Sequence, residues 1–99
     1  MDSTFETLIS NHKVVVFSKA WCPYCRRVLS ALTNAEVDHE VIDLDYHPEA
    51  SQIASDLRVA AGRTSVPQIF IGGELVGGCD ETLAAMSDGS LKTLLDAAS

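Results

Sequence analysis

The hydrophobic positions fall into short blocks whose period changes along the chain. In Ser3 to Ser10, Phe5, Leu8 and Ile9 recur at helical spacing and predict a short amphipathic helix. Val14-Val15-Val16-Phe17 is an unbroken β-branched and aromatic run, the pattern of a buried strand. After Pro23 the helical period returns, with Cys25, Val28, Leu29 and Leu32 at i, i+3, i+4 and i+7 and Thr33-Asn34 as an end. Val37 to Asp45, carrying Val41, Ile42 and Leu44, predicts a second strand. Pro48 suits the first turn of a further helix, whose apolar face is Ala50, Ile53, Ala54, Leu57 and Ala61, with Gly62 as its stop.

The last third of the chain changes character. Gln68 to Ile71 predicts a third strand, Gly72-Gly73 a hairpin turn, and Glu74 to Val76 the return strand. Gly77-Gly78 breaks the chain again. Asp80 can cap a final helical region containing Leu83, Met86, Leu91, Leu94 and Leu95. The order is α-β-α-β-α-β-β-α. A parallel β-α-β unit followed by a hairpin closes most simply as a mixed four-stranded β-sheet flanked by α-helices on both faces, an α/β fold. The 99 residues suit one domain spanning 1–99.

Charge narrows the partners. The formal net charge is -7, with only 7 Lys and Arg. That argues against a nucleic-acid binder, which must neutralise phosphates with clustered cations. It also argues against docking on an anionic membrane. Yet Lys19, Arg26, Arg27 and Arg63 are four of those cations, and three of the four flank the cysteine pair of one short stretch, AWCPYCRR. A local basic rim of this kind can attract a small anion. The first residues, MDSTFETLISNHK, show no basic segment followed by an apolar one, so no secretory signal is expected. The run VVVF is far too short to cross a bilayer. A reducing compartment, the cytoplasm, is the expected setting.

In that setting Cys22 and Cys25 form a redox or metal pair rather than a staple. The pair falls at the carboxyl end of the first strand, where ligands of open α/β sheets gather. A helix starting near Pro23 points its free N–H groups and the positive end of its dipole toward Cys22, favouring the thiolate, which is the nucleophile. Cys25 lies one turn further in, on the apolar stripe, and should hold its proton more tightly. The asymmetry assigns roles: Cys22 attacks and Cys25 resolves the mixed disulfide. Zinc would need two more ligands; Cys79 is the only other cysteine, and His12, His39 and His47 do not make a second close pair. No metal site is therefore expected.

Two further stretches bear on a ligand. Val66-Pro67 opens the third strand, where proline cannot donate to the ladder. A cis bond there would turn the Val66 N–H and C=O outward. Gly77-Gly78-Cys79-Asp80 allows close approach of a ligand to the backbone, offers helix-start N–H groups to a carboxylate and places the Asp80 side chain for an ammonium. A zwitterionic amino-acid end would fit.

Together, Cys22-Pro23-Tyr24-Cys25, Thr64-Ser65-Val66-Pro67 and Gly77-Gly78-Cys79-Asp80, in that order and spacing, resemble a glutaredoxin of the dithiol class. The resemblance runs from about Val14 to Leu95. It implies a thioredoxin fold with a cis Val66-Pro67 bond, and glutathione as cofactor and reducing cosubstrate. It implies as partners glutathionylated or disulfide-containing proteins, attacked by Cys22 alone or by Cys22 and Cys25 together, and a monomer. By position, Lys19 would meet the glycine carboxylate of glutathione and Tyr24 would flank its sulfur. Val66, before Pro67, would pair its backbone with the cysteinyl unit, and Thr64 would support the same groove. The Cys79 and Asp80 backbone would take the γ-glutamyl carboxylate, with the Asp80 side chain on the amino group. Two positions depart from the family pattern. Trp21 stands where Thr or Tyr is common, and Ala54 stands where many relatives carry a polar or basic side chain. The rival functions are an iron–sulfur cluster carrier, which Pro23 and Tyr24 oppose, and a binding module without turnover, which the presence of both cysteines opposes.

Overall fold

A computed structural model describes residues 3–63 and 65–98. Thr64, one of the predicted ligand residues, lies outside them. The elements are α1 (Thr4–Asn11), β1 (Val14–Ser18), α2 (Pro23–Asn34), β2 (Glu40–Asp43), α3 (Ala50–Ala61), β3 (Gln68–Ile71), β4 (Glu74–Gly77), α4 (Cys79–Asp88) and α5 (Ser90–Ala97). The strands form one mixed sheet in the order β2-β1-β3-β4. β1 runs parallel to β2, with Phe17 opposite Ile42, and antiparallel to β3, with Val15 opposite Phe70.

β1 is central and buried along its whole length. Strand side chains alternate between faces, so the unbroken run Val14 to Phe17 feeds two cores at once. Val14 and Val16 pack with Val28 and Leu32 of α2, Ile69 and Ile71 of β3, and Cys79, Ala85 and Leu91. Val15 and Phe17 pack on the opposite side with Phe5, Ile42, Ile53, Leu57 and Phe70. Three rings anchor the second core, with Phe5, Phe17 and Phe70 centroids 5.4 to 5.7 Å apart. Phe17 is fully buried at its centre. Phe17→Ala should cost about 3–5 kcal/mol, a large share of the stability of a small domain. Urea denaturation of the two proteins measures it.

Three predicted boundaries move. β2 begins at Glu40 rather than Val37, because Val37 donates its N–H to Leu32 O (2.9 Å) and caps the end of α2 instead of joining the ladder. It ends at Asp43, where the Tyr46 and His47 N–H groups both turn back onto the Asp43 carbonyl. Pro48 precedes α3 rather than standing in its first turn. The Glu49 N–H donates to His47 Nδ1 (3.0 Å) and Ala50 N–H to His47 O (3.1 Å), so a turn holds the chain out of the helix until Ala50. The final helical region is two helices: Gly89 at φ 85° is left-handed, a conformation glycine adopts without steric cost, and separates α4 from α5. Gly62 ends α3 and Gly72-Gly73 turns the hairpin, as the sequence predicts.

Candidate active site

β1 ends at Ser18 and α2 begins at Pro23, so the short link Lys19 to Cys22 stands at the carboxyl end of the central strand. Asp45 fixes this link by accepting from the Ala20 N–H (2.9 Å). Cys22 is the N-cap residue of α2 and Pro23 occupies the first helical position, where its missing N–H costs nothing. The cap contact comes from sulfur: Cys22 Sγ accepts from the Cys25 N–H at 3.2 Å. That donor belongs to the first turn of a 12-residue helix. The other neighbour of that sulfur is the Val66 carbonyl, 3.7 Å away, to which a Cys22 thiol donates.

Cys25 differs in every respect. It is 1% exposed. Burial pushes its thiol above the ordinary value of 9.0, and the contact with Cys22 pushes the same way, against the Ser18 hydroxyl and the Lys19 backbone. The pair thus consists of one accessible sulfur held by a backbone donor and one buried thiol that keeps its proton. All three cysteines are free.

The Val66-Pro67 peptide is cis, as the resemblance implies. A groove of about 160 Å3 runs from Tyr24 past Val66 and Pro67 to Cys79 and Asp80. The structure therefore brings five of the predicted ligand residues together beside Cys22. Cys79 is buried in the groove wall and its thiol is pushed up by that burial, with Arg27 acting the other way. Lys19 is not in this groove. It projects toward α3, into a separate depression of about 250 Å3 that it shares with Asp45, Ser51 and Ala54.

Three groove residues have no role assigned from the sequence. Arg63 and Ser65 form part of the wall before β3. Glu81, not Asp80, caps α4: the N-cap residue is Gly78, and Glu81 Oε1 accepts from its N–H at 2.9 Å. Asp80 falls on the second helical residue because the extended Gly78 starts the helix at Cys79. The same Glu81 oxygen accepts from the Arg63 guanidinium, tying the two walls of the groove together. Gly77 makes room for this: at φ 130°, a Cβ there would lie 2.8 Å from Glu81 Cβ. Gln68, the first residue of β3, is 1% exposed and donates to the Ser65 carbonyl (2.9 Å), bracing the bend from inside.

The Gly78 N–H first, and Arg63 second, hold the Glu81 carboxyl below its ordinary value of 4.5. A lowered folded value gives stability that is present above the unfolded value and lost as pH falls through the folded one. Glu81→Gln should cost about 0.5–1 kcal/mol at neutral pH, the size of a lost cap, and much less in strong acid. Urea denaturation at both pH values measures the difference.

A family model for glutaredoxin matches residues 14–76. The chain belongs to the glutaredoxin family. A glutaredoxin of Ricinus communis is 43% identical over 88 residues, which cover 89% of this chain and 86% of the relative. The crystal structure of the holo form of glutaredoxin C1 from Populus tremula x tremuloides superposes with a TM-score of 0.87 at 40% identity, covering 95% and 85% of the two chains. That of a buckwheat glutaredoxin–glutathione complex gives a TM-score of 0.88 at 33% identity, covering 94% and 84%. The four-stranded mixed sheet with its flanking helices is thus the thioredoxin fold of glutaredoxins. The Cys22–Cys25 spacing fits the CPYC-type site of the family, and this glutaredoxin is a glutathione-dependent thiol oxidoreductase.

Proposed function

We propose that Cys22 is the attacking sulfur of this oxidoreductase and that Cys25 resolves only those reactions that pass through a protein disulfide. The observation that carries this reading is the unequal pair: an accessible sulfur holding a helix N–H beside a 1%-exposed thiol pushed above 9.0. On a glutathionylated protein, the Cys22 thiolate attacks the glutathione sulfur. The Cys22–glutathione disulfide forms, and the protein sulfur leaves as a thiolate that takes a proton. A second glutathione thiolate then attacks the glutathione sulfur of that disulfide, releasing glutathione disulfide and restoring the Cys22 thiolate. On a protein disulfide, Cys22 forms a mixed disulfide with one substrate sulfur. Cys25 then loses its proton and attacks Cys22 Sγ, and the reduced substrate leaves. Two glutathiones reduce the Cys22–Cys25 bond.

Glutathione is an extended tripeptide with two carboxylates and one ammonium, and the groove offers a match for each part. The Val66 backbone pairs with its cysteinyl unit as an added strand would. The first N–H groups of α4, at Cys79 and Asp80, lack helical partners and suit the γ-glutamyl carboxylate, with the exposed Asp80 carboxylate on the ammonium. Tyr24 flanks the sulfur. Lys19, in its own depression, takes the glycine carboxylate as the one cation there among the described residues, because Ala54 adds no basic group beside it. The structure of a buckwheat relative in complex with glutathione supports glutathione as the ligand. Such chemistry suits a monomer in the cytoplasm, where glutathione is kept reduced. The deciding test is reduction of a glutathionylated peptide, with glutathione and glutathione reductase supplying electrons. Turnover that saturates with peptide and requires glutathione is expected; folded protein with titratable thiols and no turnover would overturn the reading.

A further inference from the structure

Trp21, the residue before Cys22, leaves 86% of its surface open to solvent. A side chain of that size so bare, beside a reactive sulfur, points to a partner that is absent from the fold itself. It is not glutathione, because Trp21 lines neither the groove at Val66 nor the depression at Lys19. Nor is Trp21 a loose tip. Its link is held by the Ala20 N–H on Asp45 (2.9 Å), and the Arg26 guanidinium, one turn into α2, lies 5.4 Å from its ring centroid. The ring carries a cation on one side and leaves most of its apolar surface open.

Charge says what that face fits. The chain carries a net -7, yet Lys19, Arg26 and Arg27 all lie within five positions of Cys22 along the chain. Among the described residues none of the three pairs with a carboxylate; the ion pairs are His12–Glu40, Arg63–Glu81 and Lys92–Asp96. Asp45, the acidic member of this rim, points an oxygen at the Ala20 backbone. A positive rim on an acidic protein attracts acidic segments and leaves the rest of its own surface to repel them.

We propose that Trp21 and Arg26 form a docking platform for the polypeptide part of protein substrates, favouring targets whose reactive cysteine is flanked by acidic residues. This rests on the reading of the protein as an oxidoreductase of protein thiols. The groove receives the glutathione half of the mixed disulfide, and the platform receives the half that leaves.

The test compares three substrates: two glutathionylated peptides that differ only in having Asp or Lys on both sides of the cysteine, and the small cysteine–glutathione disulfide. The acidic peptide should show a kcat/KM about tenfold above the basic one, with the gap narrowing as salt rises. Trp21→Ala should lower kcat/KM for the acidic peptide about tenfold and leave the small disulfide unchanged, the size of a moderate hot-spot truncation. Arg26→Glu, also at an exposed position, should reverse the order of the peptides. Equal rates on the two peptides, or equal loss of peptide and small-disulfide turnover in Trp21→Ala, would overturn the platform alone. No turnover of any of the three by the unaltered protein would overturn the oxidoreductase reading and the platform with it.

Discussion

Cys22→Ser is expected to abolish turnover of glutathionylated peptides and protein disulfides alike, with a loss of roughly a thousandfold or more in kcat/KM. Serine retains a side-chain acceptor at the same place but cannot supply a thiolate at neutral pH, so neither mixed disulfide can form. The substitution also separates chemistry from folding. Cys22 is the N-cap residue of α2, and its side chain accepts from the Cys25 N–H. Serine is among the preferred residues for that position, so the helix start should be as well held as before. The expected outcome is therefore an inactive protein with an unchanged circular dichroism spectrum and an unchanged or slightly raised Tm. Activity near that of the unaltered protein would remove Cys22 from the attacking role.

Cys25→Ser should split the two activities. Reduction of a glutathionylated peptide persists, because a second glutathione, not Cys25, completes that cycle. Reduction of a peptide carrying an internal disulfide should fall about a hundredfold, since attack from within the same protein is replaced by attack from solution. Cys25 is buried, so its thiol must be deprotonated against a raised pKa to act. The rate of disulfide reduction should accordingly climb toward alkaline pH in the unaltered protein, and the climb should vanish in the variant. Placing a hydroxyl in that buried position also costs about 1–3 kcal/mol of stability, which urea denaturation reports independently. Loss of both activities in a folded variant would overturn the division of labour.

Much of this was legible because some residues carry their own geometry. Pro23 marks the first helical position, so Cys22 could be placed at the cap and Cys25 one turn inside. Gly72-Gly73 fixed the hairpin, and hence the antiparallel edge of the sheet. Other features depend on contacts between distant residues. An unbroken run such as Val14 to Phe17 announces burial but does not reveal that alternate residues serve two different cores. Asp80 has the chemistry of a cap, but Gly78, extended one residue before the helix, gives that role to Glu81. Arg63 and Glu81 lie 18 positions apart and meet only once the sheet has formed. Lys19 and Val66 belong to one expected binding set, yet the first lines a depression beside α3 and the second lines the groove shared with the start of α4, an arrangement that no linear motif records.

The partition of the core across β1 has a consequence for how this chain can change. Both helices that build the reactive end, α2 and α4, rest on the aliphatic layer of Val14, Val16, Val28, Leu32 and Ile69. The aromatic trio lies behind the sheet with α1 and α3. Amino-acid drift among the rings reaches the sulfur mainly through Val66, which packs on this rear layer while its carbonyl stands 3.7 Å from Cys22 Sγ, whereas drift in the aliphatic layer shifts the floor on which Cys22 and Cys79 stand. Paired substitutions drawn from opposite layers should combine almost independently, while pairs within one layer should not. The rear layer is thus a reservoir of mutational tolerance for an active end that has little of its own.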